Sequence, residues 1–403
     1  MRTSEARTFA PARRPRGHAL LPLLALVLGG CASASASVEP TVPVAASAKP
    51  AEAQSPRHPV EVATPVPPAP QVVEEPLPPA KAAWMALSQG IDSPVDRALA
   101  AGDQALDAGN LVAALRAYDS ARGLAPRAAA PLVGVARVRV TMTDVAMDYA
   151  AGKGNADILA ARGMLKRAVT IDPAYAPAQV ELGRVLLLLG DASGAMDSLH
   201  RAVTLAPDDA EAHSVLGVAS LATGHADEAV GELRAAARLD RGSAARHGNL
   251  ATALLMGGKV SDAVKEYELQ VRIDGQDARA HSDLGTALLA SSVDADPPRA
   301  LTELRRAIAL DPSRATFHSN LGYALQLQGS MPEAIVEYRQ ALSLDPHLAS
   351  AWINLATALA KDPKTRTAAR SALSEARKID PADPRVKANL DELDSLEREA
   401  KTP

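Results

Sequence analysis

Two rows of side chains and a single cysteine are the parts of this sequence whose types and spacing could do chemistry. His213, His247, His281 and His318 recur every 34 to 37 residues. An imidazole near neutral pH ligates metals or carries protons, so the row offers a metal site, a pH-sensitive contact or plain packing. Asn249, Asp283, Asn320 and Asn354 form a second row at the same interval, the first three standing two residues after a histidine. An amide has one acceptor and two donors, which suits it to the main chain of any peptide whatever its sequence. The other reading of this row is polar side chains that hold water. Cys31 is the only cysteine among 403 residues. No phosphate-binding glycine loop, no zinc-type His–Glu cluster on one helix and no nucleophile motif occurs in the chain.

Rows this regular need a regular support. Eight alanines, Ala114, Ala161, Ala195, Ala229, Ala263, Ala300, Ala334 and Ala369, recur with four gaps of 34 and others of 47, 37 and 35. A period of this size marks a repeat array, in which each unit buries its apolar face only against its neighbours. In the unit 176–209, Leu182, Val185, Leu186 and Leu189 recur at helical spacing until Gly190-Asp191 interrupts them. Ala195, Met196, Leu199, Ala202, Val203 and Leu205 then resume the pattern up to Pro207. This spacing predicts a helical hairpin, with small residues where the two helices approach.

The unit resembles the tetratricopeptide repeat (TPR). The family's small residue in the first helix is Gly102, Ala136, Gly183, Gly217, Ala251, Gly285, Gly322 and Ala356. Its large residue midway along the second helix is Tyr118, Leu165, Leu199, Leu233, Tyr267, Leu304, Tyr338 and Leu373. Gln270 is the only departure at the late small position, and Arg241 and Gly275 replace the closing proline. The resemblance implies an all-α fold, a right-handed superhelical solenoid of about eight TPR hairpins over 84–383. The repeats fall at 95–128, 129–175, 176–209, 210–243, 244–277, 278–314, 315–348 and 349–383. In 384–403, Val386, Leu390, Leu393 and Leu396 make a narrow stripe, as in a capping helix.

The resemblance also places the first helices on a concave groove. There Asn249, Asp283, Asn320 and Asn354, with Tyr323, match the asparagine ladder with which long TPR arrays bind extended peptides. The lysines and arginines of the family's carboxylate clamp are missing from these positions. The histidines are expected to pack at repeat interfaces. Equivalent positions on neighbouring helices lie about 8–10 Å apart, and no carboxylate or cysteine accompanies them at their level. Two repeats are longer. Some 13 extra residues near 141–150 read as a lengthened first helix that offers a lateral docking surface, or as a tolerated extension. Three more residues in 291–298 read as a longer loop.

Residues 1–30 carry Arg2, Arg7, Arg13, Arg14 and Arg16, then an apolar run from Ala19 to Leu28 too short to span a bilayer. The sequence Leu28-Gly-Gly-Cys31 resembles the bacterial lipoprotein box, which implies cleavage before Cys31 and its lipidation. An ordinary signal peptide is the alternative. Residues 31–83 combine the lipidated cysteine with a tether holding twelve prolines between 32 and 80, a composition that cannot bury a core. Its reach is about 40 Å as a coil and on the order of 150 Å fully extended.

The chain carries −4; the first 30 residues contribute five arginines and one glutamate, leaving the rest about −8. With no basic run in the array, nucleic acid is not an expected partner. The core is alanine and leucine, which leaves no wide pocket, and no cofactor is expected. Nor is enzyme activity expected, because signal, tether, repeats and cap take up the whole sequence. The layout resembles lipid-anchored TPR scaffolds of envelope machines: type IV pilus, gliding motility or secretion complexes. Its expected partners are other envelope proteins and, through the anchor, a membrane. The alternative is a peptide or glycan receptor serving cell-wall enzymes. Ala32 after Cys31 favours the periplasmic face of the outer membrane.

Overall fold

The structure is a computed structural model that describes residues 77–80, 84–143, 145, 149–290 and 297–399. Cys31, residues 1–30 and most of the 31–83 tether lie outside the described residues, as does the six-residue stretch 291–296. Among the described residues there are seventeen α-helices and no strand.

The helices come in eight packed pairs. They are α1 (Pro94–Asp107) with α2 (Leu111–Leu124), α3 (Ala129–Met142) with α4 (Ala156–Ile171), α5 (Ala176–Leu188) with α6 (Ala192–Leu205), and α7 (Ala210–Ala222) with α8 (Ala226–Leu239). Then follow α9 (Ala244–Met256) with α10 (Val260–Ile273), α11 (Ala278–Ala290) with α12 (Pro297–Leu310), α13 (Ala315–Leu327) with α14 (Met331–Leu344), and α15 (Ala349–Ala360) with α16 (Arg366–Ile379). A last helix, α17 (Pro384–Glu399), closes the array. Each second helix packs on the first helix of the next repeat, and along most of the array successive first helices also touch one another. The array therefore curves toward its first helices, which line the concave side.

Local chemistry explains the hairpins. Ser93 caps α1 by accepting the Asp96 N–H at 3.0 Å, with Pro94 in the first turn. Asp191 caps α6 through the Gly194 N–H at 2.8 Å. In six of the eight pairs the chain turns between the helices through a left-handed glycine, such as Gly190 at φ 80° and Gly329 at φ 86°. At the crossing of α5 and α6, a methyl group on Gly183 would collide with Leu199. The eight periodic alanines are fully buried. Gln270, the departure at the late small position, is buried opposite Gly248, where a methyl group would strike its amide. A missing side chain on one helix thus makes room for a large one on its partner.

The insertion in the second repeat does not lengthen its first helix. Helix α3 ends at Met142 after fourteen residues, and residues 149–152 pack back onto the end of α5. Tyr149 donates its hydroxyl to the Gly190 carbonyl at 2.8 Å, and the Ala150 and Gly152 N–H groups bond the Leu187 and Leu188 carbonyls at 3.0 and 2.9 Å. The last carbonyls of a helix have no partner within it, and the insertion supplies them. A projecting helix would have buried nothing. Among the described residues near 141–150 there is no projecting helix.

The cap α17 buries Val386 and Leu393 against α15 and α16. Arg366 bonds its Leu396 carbonyl, and Arg370 pairs with Asp394 and Glu397.

A candidate peptide groove on the first helices

In the later repeats the ladder stands on the middle of each first helix. Asn249 on α9 is 6% exposed, and its Oδ1 has no hydrogen-bond partner. Asp283 on α11 is partly open and lies 3.7 Å from Arg279 of the same helix. Burial pushes its carboxyl up to about 6, while Arg279 and, more weakly, Arg314 pull it down. Asn320 on α13 donates its amide to Ser282 Oγ of the previous repeat at 3.0 Å. Asn354 on α15 is partly open. Tyr323, one turn beyond Asn320, is 43% exposed. The row continues beyond the predicted residues. Asn389 on α17 bonds the Arg385 carbonyl and accepts the Thr357 hydroxyl at 2.9 Å. Its position 35 residues after Asn354 is the signal that identifies it.

The histidines do have carboxylate partners, contrary to the expectation from the first helices alone. Nδ1 of His213, His247, His281 and His318 meets Glu232, Glu266, Glu303 and Glu337 at 2.6 to 2.7 Å. Each Nε2 meets a main-chain carbonyl six residues back, in the turn that leads into its helix, at 2.8 to 3.3 Å. Each ring therefore braces its first helix to the second helix and to the entry turn. Gln179 and Trp352 reach the same carbonyl in their repeats, from Pro173 and Pro346. The partner follows each histidine by 19 residues, or by 22 in the repeat with the three-residue insertion. That spacing was readable, but only across the hairpin. Among the described residues no three His, Cys, Asp or Glu side chains converge in the manner of a metal site.

The earlier repeats present a different groove. Arg137 on α3, Glu181 and Arg184 on α5, Glu211 on α7, and Arg246 and Asp240 around the start of α9 form one chain of ion pairs. The links measure 2.9, 3.1, 2.6, 3.0 and 2.9 Å, with every side chain at most 6% exposed. Burial alone would raise the Glu211 carboxyl, but Arg184 and Arg246 outweigh it and hold it below its usual range. Over these charges runs the chain's own segment ahead of α1. The Trp84 ring lies 5.4 Å from the Arg137 guanidinium and 4.8 Å from that of Arg184. Arg137 donates to the Met85 carbonyl at 2.8 Å. Asp103 accepts the Leu87 and Ser88 N–H groups at 2.8 and 3.1 Å, and Asp96 accepts that of Gln89 at 2.7 Å. Tyr118 holds the other Asp103 oxygen at 2.8 Å. Charged residues inside an apolar first helix, Glu181 and Arg184, were the sequence signal for this network.

Sequence models of the tetratricopeptide repeat match residues 154–219 and 215–279, and a TPR repeat model matches 298–329 and 327–362. No curated protein sequence matches the chain. Among solved structures, the APC/C hetero-tetramer Cut9-Hcn1 is similar at a TM-score of 0.55 and 17% identity, over 76% of this chain and 57% of that one. The chain thus spans little more than half the length of that relative. MamA matches at a TM-score of 0.37 and 21% identity, over 41% of this chain and 95% of its own. YrrB, described as a TPR protein with an unusual peptide-binding site, matches at 0.36 and 20%, over 47% and 96%.

Proposed function

The chain is a tetratricopeptide-repeat protein, a scaffold for protein–protein interaction, and from this premise we propose that it holds an extended polypeptide in the concave groove of its later repeats. The observation that carries this reading is the row Asn249, Asp283, Asn320, Asn354 and Asn389. Four successive first helices and the cap α17 carry an amide or carboxyl at one level, and Asp283, Asn320, Asn354 and Asn389 stay partly open. Amide groups bind main chain without reading sequence, which suits a protein that gathers several partners.

The lipoprotein box at Cys31 supports a lipid-anchored scaffold in a bacterial envelope, on the periplasmic face of the outer membrane. The tether would give the array reach, and the partners would be components of an envelope machine. Two acyl chains or more anchor stably, because each buried CH₂ contributes about 0.8 kcal/mol.

One experiment tests the groove and another the anchor. The double variant Asn320→Ala/Asn354→Ala should keep the wild-type helicity and melt within a few degrees of wild type, yet lose crosslinking to envelope proteins. Unchanged crosslinking with a large loss of stability would make the row structural. Cys31→Ser should abolish labelling by a palmitate analogue and release a folded array from the membrane fraction; continued labelling would refute the anchor.

A further inference from the structure

The segment over the early repeats is bound as a TPR array binds a foreign peptide. It is extended. Its main-chain groups are read by side chains of α1 and α3, and its Trp84 and Leu87 are the anchoring side chains, Leu87 being 1% exposed. Its path has a direction. Gln89 lies by Asp96 in the first repeat, Trp84 between the second and third, and Pro78 against Gly242 at the end of the fourth. Pro78 and Gln89 thus stand against repeats three units apart along the array. Gly242 permits the passage, since a methyl group there would collide with the Pro78 carbonyl and it needs no left-handed backbone.

We propose that this segment is an exchangeable internal ligand. The groove of the first three repeats is a second peptide site, built for an aromatic residue followed three positions later by an aliphatic one. Here it is filled by the chain's own Trp84-Met-Ala-Leu87, and a partner segment with the same pattern takes its place. Three features make it separable from the repeats. Among the described residues no main-chain to main-chain hydrogen bond ties 84–89 to a helix of the array. The connector to α1 is exposed from Gly90 to Asp92. Gly90, at φ 71°, supplies a pivot. The partner's aromatic ring would cover Arg137 and Arg184, and Asp103 and Asp96 would accept its N–H groups.

A fluorescent peptide of residues 77–90, added to the full chain and followed by anisotropy, tests this. A tethered ligand competes at an effective concentration on the order of millimolar, so the wild-type chain should bind the peptide weakly. Trp84→Ala should bind it at least tenfold more tightly, and so should Gly242→Ala, which removes no side chain from the site and only crowds Pro78. A peptide with alanine for tryptophan should bind none of these proteins. The gain should persist when Asn320→Ala/Asn354→Ala is added, which separates this site from the ladder of the later repeats. If both variants are folded by circular dichroism and neither binds the peptide, the segment is a fixed part of the fold. Equal affinity for wild type and variants would place the peptide elsewhere. Either result overturns the proposal.

Discussion

The two halves of this array share one frame and differ in what covers it. In both, a first helix and a second helix close on a buried alanine. In the early half the concave side is shut. Every residue of α5 is buried, as is α7 up to Leu221, and a buried chain of six charged side chains passes under Trp84 at Arg137 and Arg184. In the later half the same helix faces hold Asp283, Asn320, Asn354 and Asn389, which stay partly open. The difference teaches that burial in a solenoid is set by the occupant of the groove as much as by the repeat. Charge can be placed inside only where something covers it and each ion has a partner.

The frame predicts the largest effect, and predicts it equally for both halves. Ala229→Glu and Ala334→Glu each place a carboxylate where the alanine is fully buried, without a partner. Each should cost at least about 4 kcal/mol, measured by denaturant unfolding. A near-normal melt of either variant would mean that the repeat frame is misread.

The next effect should split the halves. Glu211→Gln leaves Arg184 and Arg246 without their shared carboxylate and should cost about 3 kcal/mol. Arg279→Ala, which breaks the half-open pair with Asp283, should cost less than about 1 kcal/mol. Similar losses from the two variants would erase the distinction between a covered and an open groove.

The smallest effect is one of sign. The Glu211 carboxyl is held low in the folded chain, so its contribution is fully present above its ordinary value of 4.5 and lost as pH falls through the lower folded value. Asp283 is held high, at about 6. Its ionisation burdens the folded state only as pH rises from about 4 to above 6, and acid removes the penalty. Asp283→Asn should therefore raise stability at pH 7.5 by on the order of 1 kcal/mol, discounted because a third of its side chain is open to solvent. It should change nothing at pH 4. Thermal melts of both variants across pH 3.5 to 8 check this; a stabilisation by Asp283→Asn that persists at pH 4 would contradict it.

Much of the architecture was legible because the signals are local. The 34-residue alanine period, Ser93-Pro94 before α1 and the apolar stripe of α17 each depend on a few adjacent turns of chain. The histidine partners were missed because the ring and its glutamate stand on different helices, and a pattern along one helix cannot show them. The insertion near 141–150 was misread for a related reason. Its helix-compatible residues say nothing of the unpaired carbonyls of α5, which lie some 40 residues downstream and attract the insertion.

By itself the sequence determined the repeat, its register, the close helix crossings and the polar row from Asn249 to Asn354, since periodic burial and turn chemistry are written every 34 residues. Tertiary structure alone decided what faces what. It placed Trp84 over Arg137 and Arg184, paired Glu211 with two arginines 27 and 35 residues away, and left Asn249 with an idle oxygen. Those outcomes depend on how an aperiodic segment lies across a periodic surface. Trp84 to Gln89 are held by electrostatic and steric complementarity with several repeats at once, and no spacing within the segment records it.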